Sequence, residues 1–151
     1  TLDLQGDSAG EMAVYEAAWR RFADHPHTDV QAKVAHVLYF HSDLLIRTGK
    51  TAADPNIQAS HWRRAQHLLR QALDKPPFQE NCTLLSWLAY VCVLLGEDGA
   101  ARPLLSKALA TADNSLYADI QKNLAQHPIA ADHTMRAMVE EVWESVQQSH
   151  G

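Results

Sequence analysis

Nine histidines in 151 residues invite a metal or acid–base reading. His25 and His27 flank Pro26, with Asp24 and Asp29 beside them. A zinc site needs three or four ligands converging at about 2 Å, and the chain carries neither His-Glu-x-x-His nor Cys-x-x-Cys. His36 and His41 are five apart, His61 and His67 six apart. Neither pair has the i,i+4 spacing that sets two imidazoles on one helix face. The expectation is turn and surface histidines, with no metal and no cofactor.

His41 differs, because it interrupts an apolar stripe with Asp43 close by in sequence. A core histidine bonded to a backbone carbonyl is the expected reading, and a general base the sharper alternative. Glu140, Glu141 and Glu144 fall opposite Val139, Val142 and Trp143. Paired carboxylates act across a cleft, so this run reads as a solvated face. Cys82 and Cys92 lie ten apart in the most apolar segment. They are too distant to bridge along one helix, and thiols in such surroundings are usually inert packing. No Gly-x-Ser-x-Gly or glycine-rich phosphate loop occurs among the six glycines. No catalytic residue is assigned.

The composition fits a folded chain with a sizeable core: 46% hydrophobic and 21% charged. A net charge of −5 argues against nucleic-acid binding, which leans on clustered Lys and Arg. The charge is uneven, about +4 over 46–75 against about −4 over both 1–45 and 113–151. Arg63, Arg64 and Arg70 form the basic patch, read first as a solvated helix face. The absence of a disulfide framework suits a reducing, cytoplasmic setting. The apolar run Leu88–Leu95 is far short of a membrane span of about 20 residues, so no membrane partner is expected. No signal-peptide pattern opens the chain. Thr1 stands where a methionine would start a protein, which leads us to expect a piece of a longer chain.

Every long segment repeats with a period near 3.6, so the fold is expected to be all-α, with about seven helices in antiparallel hairpins. Ser8 to Glu11 and Thr28 to Gln31 are capping-box patterns. Pro26 ends the first helix, and Gly49 reads as the stop of the second. Asp54-Pro55 is an N-cap with proline at the first helical position. Pro76-Pro77 closes the third helix. The fourth, about 79–95, is apolar nearly all round and should be buried. Gly96 closes it and Asp98 caps the fifth. His127-Pro128 breaks the chain before a last helix at about 130–148.

Helices four and five make a unit of about 34 residues, the length of one tetratricopeptide repeat. Leu85, Leu88 and Ala89, the Gly96 turn, and Ala101, Leu105 and Ala108 sit where that family places its large and small residues. The chain is similar to that family at these positions. It departs at Cys92, Pro103 and Asp113. Upstream, Ala65, Leu69, Ala72 and Pro77 match Ala101, Leu105, Ala108 and Asp113 at an offset of 36 residues. A first helix ending at Gly49 and a 49–59 insertion complete the second copy. The expected domain is single and helical, with hairpins at about 28–77 and 79–113 and flanking helices at 8–24, 114–126 and 130–148. Leu84 to Gln126 also resembles the C-terminal part of an uncharacterised actinobacterial family, a large domain of unknown function, on its Trp-Leu-Ala helix, glycine turn and Ala-Leu helix. That resemblance implies no known activity.

Tetratricopeptide arrays bind peptides along the concave face lined by the first helix of each hairpin. The resemblance therefore implies a groove of Tyr39, Ser42 and Asp43 with Ser86, Trp87 and Tyr90; burial of Trp87 and Tyr90 under capping helices is the competing expectation. The stripe of Met135, Met138, Val142, Trp143 and Val146 should dock on the domain or pair with a second copy as a homodimer. The expected function is a non-catalytic protein–protein interaction or scaffold module. A small metal-dependent or hydrolytic enzyme using the histidines, and a structural dimerisation domain, are the alternatives.

Overall fold

A computed structural model describes residues 4–111, 114–125 and 129–150, without the side chains of 4–9, 111, 114, 123, 149 and 150. The described residues form seven α-helices and no strand: α1 Leu4–Phe22, α2 Thr28–Thr51, α3 Pro55–Leu73, α4 Cys82–Leu94, α5 Asp98–Thr111, α6 Asn114–Leu124 and α7 Ala130–His150. One 3-10 turn, Pro76–Phe78, follows α3. The fold is all-α. The chain gathers into two compact units, Thr1–Gln79 and Glu80–Gly151. Asp113 and the His127-Pro128 break lie outside the described residues.

In the first unit α1 packs on α2, and α2 on α3. α1 begins at Leu4, ahead of the Ser8 capping box, so the period of 3.6 extends further than the cap pattern suggested. The cap of α2 is His27 rather than Thr28: His27 Nδ1 accepts from the Asp29 N–H at 3.2 Å. Gln31 turns outward to donate to the His25 carbonyl at 3.1 Å. Asp54 does cap α3, accepting from Asn56 N–H at 2.8 Å, with Pro55 directly behind it.

Gly49 does not end α2, which continues to Thr51 and leaves a connection of only 52–54. The glycine is there for closeness. A Cβ at that position would lie 2.5 Å from Trp62 Nε1 and 3.2 Å from the Gln58 carbonyl oxygen. Trp62 donates its indole N–H to the Ile46 carbonyl at 3.3 Å. The crossing of α2 and α3 is thus set by a missing side chain on one helix and a buried tryptophan on the other. Ala65, Leu69 and Ala72 of α3 are fully buried, as are Leu38 and Leu45 of α2.

In the second unit α4 is the central helix, with α5, α6 and α7 packed on it. Every residue from Leu84 to Leu94 is buried, as an all-round apolar helix requires. Asn81 caps it through Leu84 N–H at 3.0 Å. Gly96, at φ 79°, ends it. Glu97 N–H reaches the Cys92 carbonyl at 2.7 Å and Gly96 N–H the Val93 carbonyl at 3.0 Å, the Schellman closure that needs a left-handed residue at its corner. Asp98 is the first residue inside α5, not its cap: the Glu97 carbonyl accepts from both Ala100 and Ala101. Its carboxylate still lies at the favourable end of the helix dipole. Ala89, Ala101, Leu105 and Ala108 are all fully buried. The second helix of each hairpin therefore buries the same Ala, Leu, Ala triplet at the same spacing.

Candidate functional site

The candidate peptide-binding side chains fare differently. Ser42 is fully buried and donates to the Leu38 carbonyl one turn back at 2.7 Å. Ser86 is buried and donates to the Thr83 carbonyl at 2.8 Å. Both hydroxyls are consumed inside their own helices. Trp87 and Tyr90 are 9% and 8% exposed, with ring centroids 5.8 Å apart. The two aromatics of α4 are therefore core residues, as the competing expectation of burial had it. The reason is the position of α4: a helix covered on all sides has no outer face to offer.

Tyr90 has a specific partner that the sequence reading missed. Its hydroxyl donates to Asp132, a carboxylate only 1% exposed on the first turn of α7. The other carboxylate oxygen accepts from Ile129 N–H at 2.7 Å. Asp132 thus caps α7 from inside the helix and ties its start to the middle of α4. The acid three residues after Ile129 was a legible sign of a helix start; its burial was not.

Two of the candidates remain at the surface of α2. Tyr39 and Asp43 are partly exposed, and Asp43 accepts from Arg47 Nε at 2.9 Å. Between them Phe40 is 50% exposed and meets Tyr39 edge to face, centroids 5.4 Å apart. Phe40 was not singled out from sequence, although it falls outside the Val34, Leu38, His41, Leu45 stripe that is buried. Arg63, Arg64 and Arg70 are exposed on α3, and Arg64 pairs with Glu16 of α1 at 2.7 Å.

The last helix spends its apolar stripe within the second unit. Met135, Met138, Val139 and Val142 are buried, and Trp143 stacks on Tyr117 of α6 with centroids 5.0 Å apart and planes 15° from parallel. Of the two expectations for this stripe, docking on the chain's own α4, α5 and α6 is the one these contacts match. An open groove of about 660 Å³ lies between α5 and α7, walled by Gly99, Pro103, Thr134 and Met138 and spanned by an Arg102–Glu141 ion pair at 2.9 Å.

Two of the described histidines, His25 and His27, act as local acceptors, and one, His41, is a buried ring. His25 Nδ1 accepts from His27 N–H at 3.1 Å, and His27 Nδ1 caps α2. Both are turn-forming acceptors. Among the described residues no group of three His, Cys, Asp or Glu side chains is placed to hold a metal ion. Cys82 and Cys92 are unbridged. His41 is 3% exposed, and neither ring nitrogen has a hydrogen-bond partner, so the expected carbonyl bond is not made. Burial pushes its pKa below the ordinary 6.5; Arg64 pushes the same way and Glu16 opposes. The ring is a neutral imidazole near neutral pH.

His41 forms part of the wall of a cavity of about 300 Å³ in the first unit, where Glu16, Arg64 and His67 also line it. No serine, threonine or cysteine lines that cavity, so a hydroxyl or thiol nucleophile beside the imidazole is lacking. Without a carboxylate bonded to the ring, the orienting half of a catalytic dyad is lacking too. No family model, curated protein or solved structure matches this chain.

Proposed function

We propose that the chain is a non-catalytic protein–protein interaction module built from tetratricopeptide-like hairpins. The likeness rests on the Ala65, Leu69, Ala72 and Ala101, Leu105, Ala108 triplets, each fully buried on the second helix of its hairpin. Such packing keeps the opposite faces of the hairpins for other uses. The single observation that carries the interaction reading is Phe40, half-exposed on α2 against Tyr39 with Asp43 and Arg47 alongside. An aromatic anchor rimmed by a charged pair has the composition of a binding hot spot. The peptide face is thereby narrowed from six residues on two helices to Tyr39, Phe40 and Asp43 on one. Two unbridged cysteines suit a reducing, cytoplasmic setting. Membership of the actinobacterial domain-of-unknown-function family would leave this reading unchanged.

A photo-crosslinking side chain at position 40 tests it in cells. A discrete adduct is expected from position 40 and not from exposed position 71 on α3. Phe40→Ser should lose the same partner on pull-down while unfolding at an unchanged temperature. Identical adducts from both positions, or a partner retained by Phe40→Ser, would sink the reading.

A further inference from the structure

We propose that the cavity among α1, α2 and α3 is a binding site for a small organic carboxylate. Three observations point to this class of ligand. The first is charge: Arg20 and Arg64 line the cavity against the single carboxylate of Glu16. Glu16 is engaged by one N–H of Arg64 at 2.7 Å, and a guanidinium fork carries further donors suited to a second carboxylate. The second is the apolar wall. Trp19, Leu45 and Leu68 line the same space, which suits a ligand whose body is aromatic or aliphatic and whose one end is charged.

The third observation is His41. A buried imidazole with both nitrogens unpartnered leaves two polar groups shielded from water and unmet within the chain. The ring torsion of histidine is soft and broad, so a modest turn can present an N–H to the cavity whose wall the ring forms. A neutral imidazole has one donor and one acceptor. The donor suits a carboxylate, and so does the positive surplus from the two arginines. A cationic amine would meet those arginines instead. A volume of about 300 Å³ matches the lower end of small-molecule sites.

Sodium benzoate is the probe, with benzamide as the uncharged isostere and benzylamine as the cation. The readouts are the His41 and Trp19 ring resonances in the NMR spectrum and the thermal unfolding midpoint. Benzoate is expected to shift both rings saturably and to raise the midpoint, while benzamide and benzylamine do neither. Arg64→Gln should weaken benzoate binding about tenfold or more. His41→Phe, which fills the floor with a ring lacking nitrogens, should weaken it as well. Arg64 lies at the surface, so its variant keeps the test open even if the His41 variant fails to fold. No saturable shift with benzoate overturns the proposal. So does binding of benzamide or benzylamine as tight as benzoate, or full-strength binding by Arg64→Gln. None of these outcomes depends on Phe40, so this proposal and the interaction reading fail separately.

Discussion

Tyr90 on α4 donates its phenolic hydrogen to Asp132 on α7, and both side chains are buried. A tyrosine whose spacing suggests a groove thus anchors the last helix. The Ile129 N–H on the second carboxylate oxygen completes a cap that would otherwise leave an orphan donor at the start of α7.

Removing that hydroxyl should be felt as instability. Tyr90→Phe keeps the ring and strips the donor from a carboxylate sequestered from water. The expected loss is about 1–3 kcal/mol in urea unfolding. Asp132→Ala should lose at least as much, since it also uncaps α7. Amide hydrogen exchange at the start of α7 should quicken in both variants. A Tyr90→Phe protein as stable as the parent would show that the contact contributes nothing.

Gly49 and Gly10 make a matched pair. Both lie within helices, but only Gly49 faces a neighbour closer than a Cβ allows. Gly49→Ala should cost about 1–3 kcal/mol, because Trp62 must move and its bond to the Ile46 carbonyl stretches. Gly10→Ala meets nothing within 4 Å and should gain about 0.5–1 kcal/mol from helix propensity. Equal effects of the two substitutions in urea titrations would refute the close-approach account.

His41 makes stability depend on pH. Its folded pKa lies below the ordinary 6.5, so the unfolded chain binds the proton more readily. Unfolding free energy should therefore be fully present above about 6.5 and fall as pH drops from there toward the folded pKa. His61 is shifted the same way, by burial and by Arg64, and adds to the slope. Urea titrations on either side of that pH should show a shallower decline in His41→Leu. An unchanged slope in that variant would remove His41 from the account.

Pro103 lies inside α5 and is exposed. It cannot donate to the Gly99 carbonyl, which lines the groove between α5 and α7 with it. Pro103→Ala should restore that bond. After the loss of proline's rigidity in the unfolded chain, the net gain should be about 1–2 kcal/mol. A destabilised Pro103→Ala would mean that the ring itself packs usefully against the groove.

Features written within a few residues of chain were legible before any tertiary contact was known. Asp54-Pro55 starts a helix because a side-chain oxygen and a preset φ act locally. Gly96 ends one because only glycine enters the left-handed region without strain. The Ala, Leu, Ala spacing marked the buried side of α3 and α5 because that periodicity is a property of the helix itself. What escaped the sequence depends on residues far along the chain. Gly49 looks like a stop until Trp62 is set against it. Tyr90 looks like a groove residue until Asp132, 42 positions later, meets its hydroxyl. An apolar helix such as α4 does not itself record which side is covered, so the fate of Trp87 rested on its neighbours. The exposure of Phe40 and the orphaned nitrogens of His41 emerged only once their surroundings were packed. Local backbone preferences act over a single turn; burial, orphaned polar groups and the signs of cavities are sums over distant residues that only tertiary structure brings together.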